Sequence, residues 1–321
     1  MESTVGLVLR GINNIYTVRY ADGGERLCRI KGKQLPGTAG FYNPIAVGDR
    51  VVVTPDCQIL AVEQRKSAFI RWNVKGLSNQ IVAANMDQVC IVSSASNPPF
   101  RPRFIDRALA CAGSVPVIIV LNKCDLPLEG DDARARLENF RRLGWTVVET
   151  STKSGAGIED LHALLQGKTT AMVGQSGVGK SSLVNALTGA GQRTNGISLK
   201  YDRGRHTTNH ALMVEREDFT LIDTPGVREL FPPHGDPRRI EQSFPEFKEA
   251  HCQFDGCLHH GEAGCGVPAL LEEGRILPDR YESYLRMLDG LEEMAPDWVK
   301  VEKKLPKHKK EKYKDYNGDA E

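Results

Sequence analysis

Residues Gly174-Gln175-Ser176-Gly177-Val178-Gly179-Lys180-Ser181 fit the pattern G-x-x-x-x-G-K-[ST]. A polyphosphate carries several negative charges and needs many donors at close range. Glycines at 174, 177 and 179 let the backbone curl until successive N–H groups point into one concavity. A helix starting near Lys180 adds the positive end of its dipole. Lys180 is then placed to reach the β- and γ-phosphates, and the Ser181 hydroxyl to complete a Mg²⁺ shell. Ser182, next at the loop-to-helix junction, joins the phosphate-binding set. An ordinary glycine-rich turn is the alternative, but the flanks speak against it. Thr170–Val173 is a short apolar run suited to a buried strand, and Ser182–Leu187 reads as a helix.

A second constellation precedes the first. Asn122-Lys123-Cys124-Asp125 has the form N-K-x-D. Guanine presents N1–H and N2–H₂ donors beside its O6 acceptor, and a carboxylate at Asp125 accepts from both donors. Asn122 supports the surrounding loops and the Lys123 stem covers the base. Ser151-Thr152-Lys153 reads as a further guanine loop, with a backbone N–H at Thr152 directed to O6. A helix-capping role for Ser151 ahead of Ile158 stays open. Asp223-Thr224-Pro225-Gly226 fits D-x-x-G, in which Asp223 holds a Mg²⁺-bound water and the Gly226 N–H senses the γ-phosphate. The residue after it is Val227, which cannot orient an attacking water as a glutamine does. The stretch from Gly189 to His210 is long, polar and rich in Gly and Arg, which suits a segment ordered by γ-phosphate and Mg²⁺. Within it Thr208 is the favoured Mg²⁺ hydroxyl, with Thr207 not excluded, and His206 is the candidate for positioning water.

A third constellation is Cys252-x4-Cys257-x-His259-x5-Cys265. Three thiolates and one imidazole in so short a stretch suit a closed, structural tetrahedral Zn²⁺ site. Spacing alone leaves His251 and His260 as substitutes for His259. Cys28, Cys57, Cys90, Cys111 and Cys124 are scattered in mostly apolar contexts and read as buried thiols.

These groups need scaffolds. The 321-residue chain is long enough for two or three cores. Up to residue 66, short β-like runs at Val5–Leu9, Ile15–Tyr20, Arg26–Ile30 and Arg50–Val53 predict a small closed barrel of OB type. Lys31, Lys33, Arg65, Lys66 and Arg71, with Phe69 and Trp72, offer either an RNA-facing basic and stacking surface or a solvated face beside core aromatics. From 67 to 230 apolar strands alternate with amphipathic helices, the α/β signature. Strands at 88–92, 117–121, 146–148, 170–173 and 219–222 are expected, with helices at 103–111 and 132–143. From 231 to 321 the prolines, the cysteine cluster and a helical apolar spacing from Tyr281 to Met294 mark a third, α-helical unit. Its tail, Lys300–Lys314, holds eight lysines and two glutamates, and is either a solubilising extension or an RNA contact.

Formal net charge is +1, so any nucleic-acid footprint must be local. The start Met1-Glu2-Ser3-Thr4 lacks a signal-peptide pattern, and the run Val115–Leu121 is too short to span a bilayer. The expectation is a cytoplasmic chain with no membrane partner, and monomer is the default state.

The order N-K-x-D, S-x-K, phosphate loop, His206-Thr207-Thr208, D-x-x-G and then Cys-x4-Cys-x-His-x5-Cys resembles the small ribosomal subunit-dependent, circularly permuted GTPases of the RsgA family. Arg280–Tyr284 and Asn85–Gln88 also resemble sequences of that family. The resemblance covers nearly the whole chain and implies an N-terminal OB barrel, a permuted P-loop GTPase and a zinc domain. It implies hydrolysis of GTP to GDP and phosphate during late maturation of the small (30S) subunit, contact with 16S rRNA, and turnover that the subunit stimulates. It places zinc ligands on Cys252, Cys257, His259 and Cys265 and a suggested catalytic His on His206, beside Thr208 and Lys180. Asn209 departs from a third consecutive Thr. Two other readings compete: a GTP-gated rRNA-binding assembly factor with incidental turnover, and an ATP-using P-loop enzyme in which Asp125 does not read the base.

Overall fold

The computed structural model describes residues 3–32, 35, 36, 38, 40–130, 132–189, 211–227 and 229–293. His206, Thr207, Thr208, Asn209, Lys33 and the Lys300–Lys314 tail lie outside the described residues.

The chain opens with β1 (Thr4–Ile12) and β2 (Ile15–Arg19). Asn13 and Asn14 join them at φ 49° and 61°, the left-handed pair that a two-residue hairpin turn requires. β3 (Glu25–Ile30), β4 (Arg50–Val53) and β5 (Gln58–Val62) follow. Pairing runs β1-β2-β3-β5-β4, and β4 returns to β1, closing a five-stranded barrel. Closure removes the free edges that an open sheet would expose. Val8, Val18, Cys28, Val51, Val53 and Ile59 fill the interior, all fully buried.

Next comes a hairpin, β6 (Ala68–Asn73) and β7 (Ser78–Ala84), which the apolar pattern did not announce. Phe69 and Trp72 sit on it, and both are buried, which removes them as a base-stacking surface. Arg65 is also committed: its guanidinium donates to both carboxylate oxygens of buried Asp49 at 2.7 and 2.8 Å. Between the two open readings of this stretch, the aromatics belong to the core.

The α/β unit then contributes β8 (Gln88–Ser94), α1 (Pro102–Ala112), β9 (Val117–Asn122), α2 (Ala133–Arg142) and β10 (Thr146–Thr150). After these come α3 (Ile158–Leu165), β11 (Thr169–Gly174), α4 (Lys180–Thr188), β12 (Leu212–Glu215) and β13 (Thr220–Asp223). Strands β10-β9-β8-β11-β13 are parallel neighbours in that order, and β12 adds an antiparallel edge. β12 also meets β1 at Leu212 opposite Arg10, so sheet and barrel are continuous. Every residue of β8 is buried, as a strand covered on both faces must be.

The last part carries α5 (Arg238–Glu241), a 3₁₀ turn (Pro245–Glu249), α6 (Val267–Glu272) and α7 (Pro278–Glu293). Phe244, Phe247, Val267, Ile276 and Tyr284 form its core. Burying Phe244 and Phe247 contributes about 1.5–3 kcal/mol each. A buried ionic network fastens this core to the α/β unit. Arg280 of α7 contacts Asp106 of α1 and Glu246 at 2.5 Å each and donates to the Ser243 carbonyl at 2.6 Å. Arg136 of α2 takes the other Asp106 oxygen, and the Phe244 ring lies 4.3 Å beneath the Arg280 guanidinium. No described helix is long and apolar enough to cross a membrane.

Candidate functional site: a guanine nucleotide pocket and a metal cluster

Parallel strands put all their carboxyl ends on one edge, so loops following β9, β10, β11 and β13 meet there whatever their order in the chain. This is how the N-K-x-D loop, which precedes the phosphate loop in sequence, still stands beside it.

Asn122, the last residue of β9, joins the parts. Its Nδ2 donates to the Val178 carbonyl of the phosphate loop at 2.9 Å. Its Oδ1 accepts from the Thr150 hydroxyl at the end of β10 at 3.2 Å. Lys123 follows at φ 62°, a left-handed conformation uncommon outside glycine. Its ammonium donates to the Gly177 carbonyl at 2.8 Å and to the Asn97 carbonyl, so its stem crosses from base loop to phosphate loop. The Cys124 N–H donates to the Thr150 carbonyl at 3.0 Å and pins the turn.

Asp125 is oriented from the neighbouring loop. The Ser151 hydroxyl donates to its Oδ1 at 2.6 Å, while that same hydroxyl accepts from the Lys153 and Ser154 N–H groups at 3.2 Å. Ser151 therefore braces Asp125 and does not cap the helix at Ile158, whose N-cap is Gly157. The Ser151 hydrogen bond, aided by Lys153 with Nζ 3.9 Å from Oδ2, holds the Asp125 carboxyl below its usual range and thus ionised at neutral pH. Thr152 is half-buried between them.

The phosphate loop runs from Gly174 at the end of β11 through exposed Ser176 and Gly177 to α4. Gly179 has φ +94°, and a Cβ there would stand 2.3 Å from Asn122 Nδ2. Only glycine fits both the conformation and the approach. α4 begins at Lys180 without a side-chain cap among the described residues, which leaves its first N–H groups for an anion. Ser181 is half-buried and Ser182 exposed in that first turn. Lys180 folds onto its own loop, donating to the Gly174 and Gln175 carbonyls at 2.7 and 3.0 Å. Burial pushes its ammonium down to about 8, against the opposing field of Asp223.

Asp223 ends β13, buried, in register with Met172 of β11. The Thr224 hydroxyl donates to the Met172 carbonyl at 2.7 Å, and the Val227 N–H donates to the Gly174 carbonyl at 3.3 Å. Gly226 lies so close that a Cβ would stand 3.0 Å from Ser176 Cα and 3.3 Å from Lys180 Nζ. The D-x-x-G turn thus lies against the phosphate loop.

In the C-terminal part, one donor atom each from Cys252, Cys257, His259 and Cys265 lie within 4.8 Å of one another. His259 Nδ1 stands 3.5 Å from Cys252 Sγ and 3.4 Å from Cys265 Sγ, and its Nε2 faces Glu241 at 3.8 Å. His260 turns away to Asp289 at 3.0 Å, and His251 is outside the cluster. Three sulfurs and one nitrogen at this spacing fit a tetrahedral ion of the zinc class, with a carboxylate behind the imidazole. Sequence reasoning missed the groups that shape the loop: Glu262 accepts from the Leu258 and His260 N–H groups at 2.9 and 2.6 Å, and Tyr281 and Tyr284 donate to the His259 and Leu258 carbonyls. Of the five scattered cysteines, Cys28, Cys90 and Cys111 are buried, while Cys57 and Cys124 are half-buried.

A family model described as "RsgA GTPase" matches residues 62–231. The "Small ribosomal subunit biogenesis GTPase RsgA" of Chlorobaculum parvum is 37% identical over 311 residues, covering 91% of this chain and 99% of its own. The protein of that name from Bordetella pertussis is 40% identical over 296 residues, covering 88% and 95%. Among solved structures, YjeQ from Thermotoga maritima superposes with a TM-score of 0.65 at 32% identity, over 90% of this chain and 99% of that one. YloQ, described as a circularly permuted GTPase, gives 0.61 at 24% identity over 92% and 97%, a likeness of fold. Strand order, loop placement and relatives agree: the chain belongs to the RsgA family of circularly permuted GTPases, hydrolases acting on GTP.

Proposed function

We propose that the chain binds GTP at the carboxyl edge of the parallel sheet and hydrolyses it to GDP and phosphate on the small ribosomal subunit, contacting 16S rRNA late in its maturation. The observation that carries the site is Asn122, which bonds the phosphate loop and the guanine loops at once. In this reading Asp125 accepts from the guanine N1–H and N2–H₂, and Asn122, Lys123, Cys124, Ser151, Thr152 and Lys153 form the base corner. Gly174 through Ser182 surround the phosphates. Lys180 leaves its two loop carbonyls for the β- and γ-phosphates, and the Gly226 N–H faces the terminal phosphate. Magnesium, when bound with GTP, neutralises phosphate charge, and Ser181, Asp223 and Thr208 are the residues that would hold it. Val227 supplies no polar group for water, so His206 takes that task; Thr208 and His206 lie outside the described residues.

Zinc is the proposed ion of the four-ligand cluster, and its role is structural because the donor set is complete without water. The division into units at 1–66, 67–230 and 231–321 belongs to the same proposal, supported by separate cores in the barrel and the C-terminal part. The names of the relatives support the ribosomal setting, which is in the cytoplasm. The test is a GTPase assay on the full chain with and without purified small subunits. Turnover should rise by about tenfold or more. Binding without acceleration would favour a GTP-gated RNA-binding factor whose hydrolysis is incidental.

A further inference from the structure

The hairpin β6–β7 has no part in the nucleotide pocket, yet it grips the chain that leaves the D-x-x-G turn. Asn79 of β7 uses its whole side-chain amide on one residue. Its Nδ2 donates to the His234 carbonyl at 2.9 Å, and its Oδ1 accepts the His234 N–H at 2.8 Å. A side chain has here taken the place of a neighbouring strand, satisfying a donor and an acceptor of a backbone that is in no described helix or strand. On β6 the Trp72 backbone N–H donates to the Phe231 carbonyl at 3.0 Å, and the Trp72 ring packs 5.1 Å from the His234 ring. Pro232 and Pro233 lie between those two anchor points and stiffen the span.

The grip connects to the barrel on the other side. The Tyr42 N–H donates to the Asn79 carbonyl at 2.8 Å, and Asn43 repeats the two-point amide clamp on Ile81 at 2.8 and 3.1 Å. Upstream, the Val227 N–H is bonded to the Gly174 carbonyl of the phosphate loop. Between hairpin, barrel and turn lies a cavity of about 380 Å³, lined among others by Phe69, Arg71, Thr224, Pro225, Val227 and Leu230. The turn and the underside of the hairpin share this cavity beside the packed side chains of Phe69 and Leu230, so part of the surface between them is not tightly filled.

We propose that Asn79 is a positioning residue that ties the hairpin to the γ-phosphate-sensing turn, and that the hairpin surface consequently changes with the bound nucleotide. The inference rests on the nucleotide site proposed above. A turn drawn toward a terminal phosphate pulls residues 229–234 with it, and the Asn79 and Trp72 contacts carry that displacement into β6 and β7.

Hydrogen exchange of the full chain, with Mg²⁺ and either GDP or a non-hydrolysable GTP analogue, tests this. In the wild type, amides of residues 68–84 should exchange roughly threefold or more slowly with the analogue than with GDP, alongside a change at 223–227. In Asn79→Ala the hairpin difference should vanish while the turn still responds. Asn79→Asp, which keeps the acceptor for the His234 N–H and loses the donor, should retain part of it and guards against a variant that fails to fold. A wild-type turn that responds while the hairpin does not overturns the coupling and leaves the nucleotide site standing. An Asn79→Ala protein with an undiminished hairpin response overturns the role of Asn79. A turn that does not respond overturns the coupling, and a chain that binds neither nucleotide overturns the site as well.

Discussion

The nucleotide pocket and the metal cluster are assembled in opposite ways. Around the pocket, buried parallel strands fix where each loop starts; Asn122 and Ser151 add side-chain bonds to neighbouring loops, and Thr224 adds one to strand β11. Even its cation is satisfied before any phosphate arrives, because Lys180 bonds two carbonyls of its own loop. The four metal-binding side chains lie on a stretch, 252–265, that has no helix or strand. Its backbone is held by Glu262 and two tyrosine hydroxyls, and two of its sulfurs accept from the Gly266 and His259 N–H groups. In the first case the fold makes the site. In the second, four donor side chains meet on a loop without regular structure, and a bound ion would be its strongest link.

Metal removal should break the comparison most visibly. A strong chelator, or Cys252→Ser, should strip bound zinc and loosen the cluster and the α6–α7 region; apparent zinc binding in comparable small domains is about 10–16 kcal/mol. Metal analysis with hydrogen exchange reads both, and GTP affinity should change little. Equal loss of nucleotide binding would show that the two regions are not independent.

The next largest effect lies where the regions join. Arg280→Ala leaves Asp106 and Glu246 buried with fewer partners and should cost about 3–5 kcal/mol in chemical denaturation. Arg280→Met, close in volume, still leaves both carboxylates and should recover only the packing on Phe244. A loss below about 1 kcal/mol for Arg280→Ala would mean that water reaches the network.

These two regions were not equally legible in the sequence. The phosphate loop, N-K-x-D, D-x-x-G and the cysteine cluster could be read because each chemistry demands particular residue types at short spacing. The strands β8, β9, β11 and β13 were legible as apolar runs. Asp106 with Arg280 could not be read, since the partners are 174 residues apart and each alone looks like a solvated charge on a helix. The hairpin β6–β7 escaped notice because Arg71 and Trp72 interrupt its alternation, and Trp72 turned out to pack inward on His234. β5 and β12 are short strands whose place is set by neighbours distant in sequence. His260 against His259 was decided by Asp289, which no local spacing reveals.

A smaller effect sharpens the picture of a pre-satisfied pocket. Lys180 has its ammonium lowered to about 8 in the free protein, below its ordinary value of 10.5. Unfolded chain therefore binds more protons between those values, and this group's contribution to stability improves as pH rises from 8 toward 10.5. GTP acts in the other direction, because phosphates favour the charged form. At pH 9 binding should take up close to one proton, and at pH 7 almost none, as calorimetry in buffers of different ionisation enthalpy would show. No uptake at pH 9 would mean that Lys180 stays fully charged on its loop carbonyls.

The central claim is that Asp125 and the phosphate loop engage one guanine nucleotide. Equilibrium binding of GTP and XTP to the wild type and to Asp125→Asn tests it most directly. Xanthine carries an acceptor where guanine has the N2 donors, so an amide at 125 suits it and a carboxylate does not. The expected result is a preference for GTP in the wild type that reverses toward XTP in the variant, by about tenfold or more in each direction. An Asp125→Asn protein that keeps the wild-type ratio of GTP to XTP affinity would contradict the account.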